Sequence, residues 1–216
     1  MAHQVATELR WRQAGGLPPR VETAVLELSP QPLHQQILRM ATQVLTLGGD
    51  RLVIVPLFLL PGVHVMEDIP AEVAIARQQV SPHLSIDIAP YLGSHPKLVD
   101  LLPTQSSETA ARILLAHGSR RPGGNAPVEA VAQQIGAIAA YWAVSPSLAD
   151  QVEKLVAQGA QQVEILPFFL FSGGITEAIA QVVRDLSTQF PDYQFHLYPP
   201  FGATPQLAAL VLDLVA

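Results

Sequence analysis

Three short segments of this chain occur twice, in the same order and at similar intervals, and that repetition limits the fold more than any other feature. ELSPQPL at Glu27–Leu33 returns as AVSPSL at Ala143–Leu148. VPLFLLPG at Val55–Gly62 returns as LPFFLFSG at Leu166–Gly173. PYLGSHPKL at Pro90–Leu98 returns as PPFGATPQL at Pro199–Leu207. One such match would be weak; three in register specify a duplicated unit of about 100 residues. Extended apolar runs alternate with helical stretches in each unit, which predicts a small α/β sandwich on a mostly parallel sheet. The 216 residues accommodate two. The repeat divides the chain into 1–103, a polar link at 104–111, and 112–216, with PTQSSET (Pro103–Thr109) marking the junction.

Residues 1–14 read as an amphipathic helix stopped by Gly15, Gly16, Pro18 and Pro19. Val21–Leu28 reads as a short strand, and Ser29-Pro30 opens a helix that ends at Gly48-Gly49. The run LVIVPLFLLPG from Leu52 is a strand buried on both faces, interrupted by Pro56 and closed by Pro61-Gly62. A helix from about Asp68 to Val80 follows, with Asp68 as its N-cap, then a strand over Leu84–Ala89 and a short helix from Pro96 to Leu102. The second unit opens with the strand Arg112–Ala116, the loop His117–Asn125 and a helix from Pro127. The first unit has no counterpart to that strand and loop. A lost first strand would leave costly unpaired edges, so an origin of the natural chain upstream of Met1 is the favoured expectation.

Charge and composition exclude several classes. A net charge of -6 argues against nucleic acid. No apolar run reaches the roughly 20 residues of a membrane span, and the amino terminus has no signal-peptide pattern, which predicts a cytoplasmic protein without a membrane partner. The absence of cysteine removes thiolate metal sites and cysteine nucleophiles. Gly123-Gly124 is not a phosphate loop, because no Gly-Lys-Ser/Thr follows, and no serine-centred nucleophile elbow is present.

Two stretches carry chemistry. His64 and Glu67 lie three residues apart, just past the end of a buried strand, where open parallel sheets bind ligands. On a helical turn they would share a face. The second stretch, LLAHGSRRPGGN at Leu114–Asn125, puts His117, Ser119, Arg120 and Arg121 in a glycine-rich loop at another strand end. There, backbone N–H groups and guanidinium forks can hold carboxylates. His117-Gly118-Ser119 reads equally as a plain turn in which Ser119 bonds backbone amides. His3, His34, His83, His95 and His196 have no partner at ligand spacing. Phe58, Phe168, Phe169 and Phe171 read as core, and Phe201 as a residue able to line a cleft.

PLFLLPGVHVMEDIP (Pro56–Pro70) and LLAHGSRRPGGN together resemble the sirohydrochlorin chelatase family, in its long two-repeat form. The resemblance covers nearly the whole chain. It implies two flavodoxin-like units facing a cleft that holds a tetrapyrrole, and insertion of Co2+ or Fe2+, with Ni2+ as a further candidate, without an organic cofactor. It implies His64 and Glu67 as catalytic residues, and His64, Glu67 and His117 as metal ligands. Ser119, Arg120 and Arg121 would contact the carboxylates of sirohydrochlorin. The family places two histidines in one half, whereas here each half keeps one, and Ile175 stands where the second half would carry its partner. A carrier of metal or tetrapyrrole without turnover is the alternative expectation. The assembly is expected to be a monomer or a homodimer, in the latter case with two chains completing each other's sites.

Neutral imidazole accepts Co2+, Ni2+ and Fe2+, and near neutral pH it is also a usable base. An incomplete ligand set suits a metal that must be handed on, since a closed four-ligand site would retain it.

Overall fold

The computed structural model describes residues 20–103 and 110–215. They fall into two compact units: the chain up to Leu98 joined by the stretch from Ala203 onward, and Val99–Gly202 between them. The helix expected over 1–14 and most of the linker lie outside the described residues.

In the first unit, α1 (Leu33–Thr46) leads to β1 (Arg51–Ile54), and α2 (Ile69–Gln79) leads to β2 (Ser85–Ile88), parallel to β1. Leu33, Ile37 and Ala41 repeat every four residues along α1, and Ile69, Val73 and Ala76 follow a spacing of four and then three on α2. Both stripes pack with Leu84 and Ile86 into one core. Each such side chain taken fully out of water contributes up to about 1.5–3 kcal/mol. The helix expected from Ser29 begins only at Leu33, with Pro32 in extended conformation at its N-cap. Pro32 keeps Gln31 out of the helical region, which delays the start. The strand from Leu52 stops at Ile54, as the missing N–H of Pro56 requires.

The second unit holds β3 (Ala111–Ala116), α3 (Ala126–Gln134), β4 (Ile138–Tyr141), α4 (Leu148–Ala157), β5 (Gln162–Pro167), α5 (Gly174–Gln189) and β6 (Gln194–Leu197). All four strands are parallel, in the order β4-β3-β5-β6. Ile113, Leu114 and Leu115 of the central β3 are wholly buried, as an unbroken apolar run demands. One face packs on Val152 of α4 and on Ile179 and Val183 of α5. A capping box between Ser147 and Asp150 starts α4; the Ser147 backbone N–H, and after it the Ser147 side chain, hold the Asp150 carboxyl below its ordinary range.

The repeat is visible in the register. β1 pairs Arg51 with Ser85 through Ile54 with Ile88, and β5 pairs Gln162 with Gln194 through Ile165 with Leu197. Two features differ from the sequence expectation. Val21–Leu28 forms no strand; its counterpart β4 is held by β3, and among the described residues the first unit has nothing in the place of β3. The final helix, α6 (Pro205–Asp213), groups with the first unit although the repeat assigns it to 112–216. It buries Leu207, Ala208, Leu210 and Val211.

Candidate metal-transfer site

After β1 the chain runs extended to Pro61-Gly62 and then winds into a single π-helical turn, His64–Asp68, ahead of α2. The Ile69 N–H bonds back to the His64 carbonyl, five residues earlier. Pro70 has no N–H to continue an α-helical ladder at this point, and such turns recur at functional sites. Asp68 does not act as the expected N-cap: it is helical and makes no capping bond. Instead its Oδ2 lies 2.7 Å from Nδ1 of His64. Glu67 is exposed one position before it.

The ring of His64 is half-exposed and packs against Phe58 with centroids 5.9 Å apart. Its Nε2 lies 3.8 Å from Oε1 of Glu27. The following residue, Leu28, has φ of 59° and a fully exposed side chain. A non-glycine residue there costs of order 1 kcal/mol, so the turn that holds Glu27 over His64 is strained. Glu27 was not singled out from sequence, since 37 residues separate it from His64. The repeat held a signal: ELSP aligns with AVSP, so Glu27 corresponds to Ala143, just as His64 corresponds to Ile175. The two halves diverge at both positions.

The hydrogen bond to Asp68 fixes what the imidazole can do. A carboxylate can only accept, so Nδ1 carries the proton and Nε2 presents its lone pair outward. Oε1 of Glu27 lies 3.8 Å from that nitrogen. Among the described residues no group of three or more His, Asp or Glu side chains forms a metal cage. The arrangement is an open pair.

The other predicted residues lie in the second unit. His117 is exposed at the end of β3, and among the described residues its ring meets only the Gly118 carbonyl, 3.1 Å from Nδ1. Ser119 is used inside its own loop. Its N–H donates to Oδ1 of Asn125 at 2.7 Å, and its hydroxyl accepts the Arg121 N–H at 3.2 Å. Gly118 has φ of 84°, and a Cβ on it would press on Val144 and Tyr141. The guanidinium groups of Arg120 and Arg121 are exposed. Tyr141, beneath this loop, has its phenol pushed up to about 12 by burial and by the Glu129 carboxylate beside it.

Other histidines have partners far away in sequence. Nδ1 of His34 lies 2.8 Å from Oε2 of Glu72. His95 is buried, with Nδ1 accepting the Lys97 N–H and Nε2 3.7 Å from Asp213 of α6. His196 stacks edge-on against Tyr198 at 4.3 Å. Phe168 and Phe201 meet edge-to-face at 5.6 Å.

Known proteins resemble this chain. The CbiX family model matches residues 2–109 and again 111–216. A sirohydrochlorin cobaltochelatase of Priestia megaterium is 26% identical over 211 residues, covering 89% of this chain and 67% of that protein. A sirohydrochlorin ferrochelatase of the same organism is 26% identical over 185 residues, covering 79% and 68%. Among solved structures, SirB from Bacillus subtilis with Fe3+ superposes with a TM-score of 0.78 at 22% identity, covering 99% of this chain and 87% of that one. That likeness is one of fold.

Proposed function

Since the chain belongs to the CbiX family, matched by both of its halves, we propose that it is a chelatase inserting Co2+ or Fe2+ into sirohydrochlorin. The observation that carries the site is the row Asp68–His64–Glu27, with its outward Nε2 lone pair and adjacent carboxylate. The metal enters as substrate, held by Nε2 of His64 and by Glu27, with its remaining positions open to water or to the ring. Two donors of this kind bind transiently, and Ni2+ suits them as well. Insertion exchanges one divalent cation for two pyrrole N–H protons. Glu27 and, once the metal has left it, His64 accept those protons, while Asp68 stabilises the imidazolium that results. No organic cofactor takes part.

Arg120 and Arg121 supply the charge that the acidic chain otherwise lacks, and their exposed guanidinium groups suit the substrate's carboxylates. His117 and Glu67 are secondary positions in this reading, which is carried by the oriented His64–Asp68 pair.

The test is direct. Sirohydrochlorin is mixed with Co2+, and the visible absorption shift is followed against a protein-free control. Acceleration that disappears in His64→Ala supports the reading. Binding of the tetrapyrrole without acceleration would assign the protein to the carrier class, and full activity in His64→Ala would reject the site.

A further inference from the structure

The Glu27 carboxylate stands beside Nε2 of His64 on a turn that is gripped from behind, and we propose that Gln36 of α1 is the positioning residue that holds it there. The inference deepens the chelatase reading and rests on it.

The Glu27 side chain is 70% exposed, so packing does little to place its carboxylate. Its 3.8 Å approach to His64 is set by where the backbone puts residue 27. That backbone is a tight turn in which Leu28 has φ of 59° and the Ser29 hydroxyl accepts the Gln31 N–H. A non-glycine residue in the left-handed region relaxes unless its surroundings over-determine it.

Gln36 supplies that restraint. It lies in the buried stripe of α1 with Leu33, Ile37 and Met40, where packing alone calls for an apolar side chain. A buried amide is costly unless its polar groups are bonded. Here the Val25 N–H donates to Oε1 at 3.1 Å, and Nε2 donates to the carbonyls of Val25 at 2.8 Å and Gln31 at 2.9 Å. The two carbonyls stand on either side of Glu27, two residues before it and four after. One side chain therefore clasps both ends of the turn.

The helix that carries the clasp is itself tied to the His64 side of the site. The Glu72 carboxylate of α2 accepts the His34 backbone N–H at 2.7 Å and lies 2.8 Å from Nδ1 of the His34 ring. One turn earlier, Asp68 bonds His64. Bonded groups thus run without a break from one metal donor to the other, through Gln36, α1, Glu72, α2 and Asp68. In the second unit Gln151 stands at the corresponding position, and its Nε2 donates to the Ala139 carbonyl of β4 at 2.6 Å. The turn there carries Ala143 and is closed by its own backbone, Tyr141 N–H to the Pro146 carbonyl at 2.8 Å. The double grip accompanies the carboxylate.

The chain has no cysteine, so a nitroxide can be placed on it through Leu28→Cys alone. Gln36→Met keeps the buried volume and removes all three bonds. The label should tumble severalfold faster in Gln36→Met than in its absence. Co2+ affinity by calorimetry should fall about tenfold in Gln36→Met, with no further loss when the change is added to Glu27→Ala. Gln151→Met, the same change in the other unit, should leave Co2+ affinity unaltered. Should Gln36→Met fail to fold by circular dichroism, Gln36→Glu retains the acceptor, removes both donors and should give the same pattern. An unchanged label, or an equal loss of affinity with and without Glu27, would overturn the proposal. If Glu27→Ala itself leaves Co2+ affinity intact, the metal pair of the proposed function fails and Gln36 loses its role at the metal, while the label separately reports whether it holds the turn.

Discussion

Arg112 and Glu164 face each other across the neighbouring strands β3 and β5, with Nε 3.2 Å from Oε2 and both side chains about 5% exposed. The approach is an ion contact, and the surrounding bonds complete it. Arg112 also donates to the carbonyls of Ile135 and Pro103, and Glu164 accepts from the Tyr198 hydroxyl at 3.2 Å. Removing one charge strands the other inside the sheet. Arg112→Ala should lower the stability of the chain by about 3–5 kcal/mol in urea unfolding. The double change Arg112→Met, Glu164→Leu should recover most of that loss.

The bond between Asp68 and His64 makes a prediction of its own. Asp68→Asn keeps the shape but can offer an N–H to Nδ1, which allows the tautomer with its lone pair facing inward. Second-partner changes of this type cost about 10–100-fold in metal affinity or activity. Asp68→Asn should therefore weaken Co2+ binding by calorimetry within that range, with the fold intact by circular dichroism. Glu67→Gln, at the neighbouring exposed position, should lose less than threefold if the ratio expected for a residue outside the pair holds.

Glu27→Gln separates metal holding from proton removal. The amide retains an oxygen donor but accepts no proton near neutral pH. The rate of insertion should fall by about 10²-fold or more, the scale of one general base. Co2+ affinity should fall less. Equal losses in both would mean that Glu27 serves only as a ligand.

Acid should act on the first unit through Glu72. Its carboxyl is held below the ordinary 4.5, first by the His34 N–H, then by the His34 ring, against an opposing effect of burial. A lowered folded value means that the bond stabilises the folded state fully above about 4.5. That contribution is lost as pH falls through the folded value. Wild type should therefore exceed Glu72→Gln in urea midpoint at pH 7, and the gap should narrow as the pH is taken below 4.

Gly93 limits the loop beside the site. Its N–H donates to the Phe58 carbonyl at 2.8 Å, and a Cβ on it would overlap the Leu59 carbonyl. Backbone cannot yield as a flexible side chain can, so Gly93→Ala should cost about 3 kcal/mol or more. It should also shift Phe58, which packs on the His64 ring. Gly62→Ala, where nothing lies within 4 Å, should fold normally and serves as the control.

Much of the fold was legible because burial on both faces leaves an unmistakable run of residues, as in RILLA, and because other segments, VPLFLLPG and LPFFLFSG among them, occur twice. The stop at Gly48-Gly49 was legible for a local reason, whereas the strand from Leu52 ends at Ile54, ahead of Pro56, and not at Pro61-Gly62 as the apolar run suggests. The π-helical turn was not legible. A one-residue widening of the helical ladder leaves no periodicity in five residues, yet it accompanies a site in which Asp68 rather than Glu67 partners His64. Val21–Leu28 has the composition of a strand yet forms none, and composition alone does not supply ladder bonds. Glu27 reaches His64 only through tertiary structure, so spacing rules had no purchase on it.

Because α6 closes the first unit from the far end of the chain, neither repeat is a separable module. A single cut near residue 100 yields one fragment without its closing helix and another carrying an orphaned apolar one. The twin segments can diverge residue by residue, as Ala143 and Ile175 show against Glu27 and His64, but the core of the first unit draws on both ends of the chain.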